Sequence, residues 1–341
     1  MKTMIKGILA SSLALSGFGY TAVADEEVNI YSARKEQLIK PLLETFQKKT
    51  GIKVNLVSGS ADALLKRLQQ EGRNSPADIL ITTDAGRLHR AKEAGVTQTL
   101  VSKKVEMAIP AQYRDIDMQW VGLSLRARPI MYVKGKVNPS ELSTYEDLAN
   151  PKWKGKICIR SSSNIYNQSL VASILATNGM DKTVEWAEGM VSNFAKPPRG
   201  GDRDQIKAAA AGQCDIAVAN TYYLAGMLRS SDATQVAAAQ KVAVFWPNQM
   251  NRGTHVNVSG IAVTKASKNK DNAVKLIEFL SSKEAQIFYG DVNGEFSVRK
   301  DVEPSDLLKS WGSFKADSIN LSKLGEGNRN AVIALDKAGW K

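Results

Sequence analysis

Apolar positions along this chain change spacing repeatedly between a strand period and a helix period. Val28-Asn29-Ile30-Tyr31 reads as a strand. Leu38, Ile39, Leu42, Leu43 and Phe46 then recur at helical spacing, and Thr50-Gly51 ends that helix. Ile52-Lys53-Val54-Asn55-Leu56-Val57 alternates as the next strand, and Ser58-Gly59-Ser60 turns into a helix with Leu64, Leu65 and Leu68 inward. Ala77-Asp78-Ile79-Leu80-Ile81-Thr82-Thr83 is a buried strand that ends in small polar residues. The order recurs later. A helix starts at Gly201-Asp202 and ends at Gly212-Gln213, and Cys214 to Thr221 forms another apolar strand. Strands that alternate with helices build mainly parallel sheets, so the pattern predicts an α/β chain of two related lobes.

Two extended stretches, Val121 to Val133 and Gly260 to Thr264, are candidates for strands that cross between the lobes. The helix carrying Val274, Leu276, Ile277, Phe279 and Leu280 would then return to the first lobe, and helical segments follow residue 304 up to Trp340. The division expected is 25–125 plus 254–303 for the N-terminal lobe and 126–253 plus 304–341 for the C-terminal lobe. Ligand sites in such sheets lie beyond the carboxyl ends of strands. Tyr31, Thr82, Thr83, Tyr222 and Tyr223 all fall at or just past predicted strand ends.

The first 24 residues read as a secretory signal peptide. Lys2 and Lys6 precede a mostly apolar run, and Ala22-Val23-Ala24 fits a small-residue cleavage site, with Asp25 as the mature start. That run is too short to span a membrane. Export makes Cys158 and Cys214, the two cysteines of the chain, an expected structural disulfide. The formal net charge is +12, but the basic residues are scattered, with no aromatic-interleaved stripe, so nucleic acid is not an expected partner. The two histidines, His89 and His255, make no zinc spacing, and no phosphate-cradling glycine loop or nucleophile elbow occurs. His89 reads as a surface residue, and for His255 a place behind a site is only the minor alternative.

Tyrosine carries the distinctive chemistry. Asn220-Thr221-Tyr222-Tyr223 sets two phenols side by side after the strand Asp215 to Ala219, and Tyr166 sits in the loop-like stretch Ser161 to Asn167. Phenolate is a hard oxygen donor whose proton leaves near pH 10, so only a strongly Lewis-acidic ion such as Fe(III) displaces it at neutral pH. Three tyrosinates would neutralise a 3+ ion. Strictly extended neighbours face opposite ways, so Tyr222 and Tyr223 can act together only in a turn or a first helical turn. Leu224, Met227 and Leu228 supply such a helical pattern. The alternative is that the pair simply packs in a core.

Several motifs together resemble one family. They are Ile30-Tyr31-Ser32-Ala33-Arg34, the run Pro76 to Leu88, Leu125-Arg126-Ala127-Arg128, the run Gly155 to Ser169, and the run Gly212 to Tyr223. Over essentially the whole mature chain the sequence is similar to the periplasmic ferric-ion-binding proteins of ABC-type iron importers, in the subgroup that uses several tyrosines. The resemblance implies a two-lobed Venus-flytrap fold, a type II periplasmic binding protein, that closes on Fe(III). It implies Tyr166, Tyr222 and Tyr223 as metal ligands. It also implies a synergistic anion, carbonate or bicarbonate, held by Arg126 and within reach of Arg34, since guanidinium pairs planar oxyanions in bidentate fashion. For Arg34 a solvated charge, and for Arg126 an interlobe salt bridge, are the alternatives. Arg128 reads as structural. The implied partners are an inner-membrane ABC permease and its ATPase, and the implied state is a monomer in a Gram-negative periplasm.

This chain departs from the family at Lys35 and Glu36, where many relatives carry histidine and tyrosine. Glu36, Asp62 or water are left as candidates to complete the iron shell, and Tyr31 is outside the ligand set. Two rival functions remain: a same-fold binder of a small organic or inorganic anion, and a secreted enzyme on a two-lobed scaffold.

Overall fold

The computed structural model describes residues 26–341, so the expected leader over 1–24 and the start at Asp25 lie outside the described residues. Val28 and Ile30 are buried along β1 (Glu27–Ser32), which pairs in parallel with β2 (Lys53–Ser58) and β3 (Ile79–Thr83). The helices Lys40–Thr50 and Ala61–Glu71 make these parallel crossovers. Gly51 closes the first at φ 77°, the left-handed end that the Thr50-Gly51 stop predicts. Ser60 caps the second by accepting from the Ala63 amide.

After β4 (Thr97–Gln98) the chain enters β5 (Val121–Ala127), passes Arg128-Pro129, and continues as β6 (Ile130–Val133) in a second sheet. That sheet is completed by β7 (Ile157–Cys158), β8 (Ile216–Val218) and β9 (Val242–Phe245), in the order β7-β8-β6-β9. β10 (Val256–Thr264) then returns to the first sheet, whose order is β2-β1-β3-β10-β4 with β5 also on β10. Parallel pairing is found where helices connect successive strands. Antiparallel pairs all involve β10 or β6, the strands at which the chain changes sheets.

Every residue of β5 and β10 is buried. Gly260 makes their approach possible, because a Cβ there would lie 2.5 Å from Leu88 Cδ1 and 2.7 Å from the Val121 carbonyl oxygen. These crossing strands nevertheless carry Ser124, Arg126, Asn257 and Ser259 in the interior. Buried polar groups need partners, and theirs lead to the cleft.

The helix Lys270–Leu280 packs on the first sheet through Leu276, Ile277 and Leu280, as its spacing predicts. Near the C-terminus, the helix Ser322–Glu326 contacts both the helix Ala85–Glu93 and the helix Ile165–Asn178. His89, expected at the surface, lies in that contact instead. A Cβ at Gly325 would fall 2.1 Å from His89 Cβ, so only glycine lets the two helices touch. Trp340 closes the chain against Trp186 and Phe194. Cys158 and Cys214 form the expected disulfide, with Cα atoms 6.0 Å apart, behind the parallel pair β7–β8.

Candidate metal centre

β8 is shorter than the apolar run suggests. It stops at Val218, and a helix begins at Thr221, so Tyr222 and Tyr223 occupy its first turn. Their rings lie side by side, with centroids 4.2 Å apart and planes inclined by 32°. Tyr166 is likewise not in a loop. It is the second residue of the helix Ile165–Asn178, whose cap Asn164 accepts from the Tyr166 amide at 3.1 Å. The Tyr222 hydroxyl donates to the Tyr166 hydroxyl oxygen at 3.3 Å. All three phenols therefore sit at helix N-termini, where the peptide dipoles favour negative charge.

One buried guanidinium holds the two helix starts together. Arg128 donates to Asp202 Oδ2 at 3.0 Å, to Asn220 Oδ1 at 3.1 Å and to Asn167 Oδ1 at 2.7 Å. The Asn220 amide also donates to Asp202, and Asn167 donates to the carbonyls of Arg160 and Ser161. Asn220 stands at the N-cap position of the Tyr222 helix and Asn167 lies in the first turn of the Tyr166 helix, so Arg128 fixes both.

Arg126 leaves the crossing strand towards the phenols. Its Cζ lies 5.2 Å from the Tyr166 ring centre, and its NH2 group donates to the Val258 carbonyl at 2.7 Å. The guanidinium is fully buried, and burial works against its charge, but Tyr166, Tyr222, Asp84 and Glu295 together raise its pKa. Burial likewise disfavours the Tyr166 phenolate. Arg126 first, then the Tyr222 and Thr83 hydroxyls, nonetheless hold its pKa below the ordinary tyrosine value. Burial and the neighbouring phenols push Tyr222 well above that value, and burial and Tyr166 raise Tyr223 to about 12. One phenol is thus primed to ionise, and the other two keep their protons until a strong Lewis acid displaces them.

The three tyrosines line a cavity of roughly 430 Å³ between the sheets, together with Arg34, Lys35, Thr83, Arg87, Arg126, Arg203 and Glu295. A larger concavity, roughly 630 Å³, lies elsewhere at Leu68, Arg73, Val96 and Lys265. It holds no phenol or carboxylate, so chemistry and not size selects the cleft. Among the described residues, no group of three His, Cys, Asp or Glu is placed to hold a metal ion.

Arg34 reaches the cleft but is neither solvated nor free. It is buried, and its guanidinium pairs with the equally buried Glu295 and faces Ser124 Oγ at 3.5 Å. Glu36 is exposed and pairs with Lys40, and Asp62 is exposed and pairs with Arg90 at 3.1 Å. Neither lines the cavity with the phenols. Tyr31 points to Glu71, donating at 2.9 Å, with Arg67 over its ring. His255 is buried, and burial with Arg128, Arg252 and Arg126 nearby depresses its pKa to about 3, so it is a neutral residue behind the site.

Sequence reasoning missed Glu295, Arg87 and Arg203. Arg203 could have been flagged by its place at the start of the helix Asp202–Ala210, from which it lines the cavity. Glu295 gave no local signal. It is delivered by a bridge between Phe296 and Leu125, distant in sequence.

Comparisons with known proteins show the family and the fold. The family described as bacterial extracellular solute-binding protein matches residues 42–316. Iron uptake protein A1 of Synechocystis sp. is 50% identical over 316 residues, covering 93% of this chain and 88% of that protein. A Trichodesmium protein solved in complex with iron and citrate ligands superposes with a TM-score of 0.90 at 52% identity, over 92% of this chain and 100% of that one. A ferric binding protein from Campylobacter jejuni superposes with a TM-score of 0.87 at 44% identity, over 92% and 100% of the two chains. By sequence and by fold, the chain belongs to the bacterial extracellular solute-binding proteins.

Proposed function

We propose that this protein captures Fe(III) in the cleft between its two lobes and delivers it to the permease and ATPase of an ABC-type importer in the periplasm. It is a carrier and not an enzyme. The observation that carries the reading is the meeting of the Tyr166 and Tyr222 hydroxyls 3.3 Å apart, with the Tyr223 ring beside Tyr222 and Arg126 behind. Tyr166, Tyr222 and Tyr223 are the metal ligands. Arg126 supplies the positive charge for an accompanying oxyanion, and Arg34, already paired with Glu295, contributes at most its remaining edge. Relatives named for iron uptake and ferric binding support the choice of cargo.

The lobes are taken as 25–125 with 254–303 and 126–253 with 304–341. The chain changes sheets at Arg128-Pro129, within about three residues of that first cut, which supports a division near it. Carbonate is the simplest anion for Arg126. The Trichodesmium relative was solved with citrate, which favours a carboxylate anion as the second reading. The protein is taken to work as a monomer, because the Tyr166, Tyr222, Tyr223 and Arg126 side chains of one chain already line a single cavity.

Loading the purified protein with Fe(III) tests the reading directly. A tyrosinate-to-iron absorption band in the visible range is expected, and it should require added carbonate or citrate. Retention of that band in all three single Tyr→Phe variants would refute the ligand assignment.

A further inference from the structure

Asp84 follows the last residue of β3 and adopts φ 88°, a conformation that side-chain-bearing residues rarely take. It is fully buried. Such strain persists only where surrounding contacts over-determine it, and here they come from three separate elements. Asp84 Oδ1 accepts from the Gly86 amide at 2.9 Å, at the start of the helix Ala85–Glu93, and from the Ser169 hydroxyl at 2.6 Å. Ser169 is on the Tyr166 helix, three residues past the tyrosine. Asp84 Oδ2 accepts from Asn257 Nδ2 at 2.9 Å, and the Asp84 amide donates to the Val258 carbonyl at 2.8 Å. Both partners belong to the crossing strand β10. Asn257 Oδ1 in turn accepts from the amides of Ala85 and Val258, each at 2.8 Å.

The same Val258 carbonyl accepts from Arg126, the guanidinium that lies over Tyr166. Steric fit tightens the junction. A Cβ on Gly86 would stand 3.3 Å from Ile165 Cδ1 and 3.7 Å from Ser169 Oγ. One carboxylate thus joins the first lobe, the crossing strand and the helix that presents Tyr166.

We propose that Asp84 is a positioning residue for the iron site, keying the Tyr166 helix to the crossing strand so that lobe closure and the placement of the Tyr166 oxygen occur together. Asp84 does not touch the metal. It acts through Ser169 on one side and Asn257 on the other. This inference rests on the tyrosine site described under Proposed function.

The test compares wild type, Ser169→Ala, Asp84→Asn and the double variant Asp84→Asn/Asn257→Asp. Asparagine at 84 can still accept from Ser169 and Gly86, but its amide would face the Asn257 amide, donor against donor. Exchanging the two side chains restores every hydrogen bond. Each variant is loaded with Fe(III), and iron transfer to a competing hydroxamate chelator is followed through the visible band. Faster release of about tenfold is expected for Ser169→Ala and Asp84→Asn, with the rate returning to within about twofold of wild type in the exchanged pair. Melting temperature of the iron-free forms is measured in parallel. Release rates unchanged in both single variants, or a loss that tracks melting temperature and is not rescued by the exchange, would overturn the proposal. If Asp84→Asn does not fold, Ser169→Ala, which removes only the hydroxyl, decides alone. A wild-type protein that shows no band would instead count against the iron site itself.

Discussion

The hydroxyls of Tyr166 and Tyr222 are 3.3 Å apart although 56 residues separate them in the chain. Two phenols at that distance in a buried cleft cannot both ionise without a cation between or beside them. On the proposed ligand set, a metal would sit beside this contact. Replacing Tyr222 by Phe should therefore lower Fe(III) affinity by more than about a hundredfold, since even outer-shell changes cost 10–100-fold. Equilibrium competition with a chelator checks this, and a loss below tenfold would remove Tyr222 from the ligand set.

Affinity should also depend steeply on pH. Burial and the neighbouring phenols raise Tyr222 well above the usual value and bring Tyr223 to about 12. Both are protonated at neutral pH, and metal binding must release at least those two protons. Apparent affinity should then fall about a hundredfold per pH unit as pH drops from 8 to 6. Titrating the protons released on loading gives the count independently. Fewer than two per iron would contradict the assignment. The sign for the iron-free protein is opposite. A pKa raised above the unfolded value means stability is lost as pH rises above about 10, which melting curves across alkaline pH will report.

Arg126 makes a separate prediction. It is the main group that offsets the burial of the Tyr166 phenolate and lowers its pKa. In Arg126→Gln that support is gone, so Tyr166 should ionise at higher pH than in wild type. The tyrosinate ultraviolet band of the iron-free protein, followed during an alkaline titration, reads this shift. The same variant should lose any dependence of iron loading on carbonate or citrate. An unshifted titration would mean that Arg126 does not act on Tyr166.

Much of this was legible in the chain. Leu224, Met227 and Leu228 recur at helical spacing after Tyr222-Tyr223, which placed the pair in a first turn where both phenols can face one way. The disulfide followed from two cysteines and an expected exported compartment. Ser161-Ser162-Ser163-Asn164 looks like a polar linker, and that hides the helix start that carries Tyr166. Its last residue is the helix cap, and an Asn before an apolar helical run was the available signal. The pairing of Arg34 with Glu295 was not legible. It depends on a bridge between Phe296 and Leu125, and no local pattern encodes a contact that long-range folding creates. Asp84 was hidden for the same reason, since its partners lie 85 and 173 positions away.

The Arg34–Glu295 pair is both buried and confined to the first lobe's side of the cleft. Removing one member leaves an uncompensated interior charge, which costs about 3–5 kcal/mol where solvent cannot reach it. Glu295→Ala should therefore destabilise the iron-free protein by about 3 kcal/mol, less than the maximum because Arg34 borders the cavity. Replacing both members by apolar residues should recover most of that loss. Urea denaturation of the two single variants and the double variant measures the coupling. A coupling near zero would show that the pair adds nothing to stability.

The disulfide lies behind the tyrosines and not among them. Cys158 ends β7, and Cys214 lies two residues before β8, so the bond pins the strand pair whose far end leads to Asn220 and Tyr222. Its two residues are separated by 56 positions, and closing a loop of that length restricts the unfolded chain by about 4 kcal/mol on the chain-entropy account. Replacing both cysteines by serine should accordingly lower stability by about 2–4 kcal/mol while leaving the visible iron band in place. The helix starts that carry the phenols are held by Arg128, Asp202 and Asn167, which do not depend on the bond. Loss of the band in a variant that still melts cooperatively would show instead that the disulfide sets the geometry of the metal site.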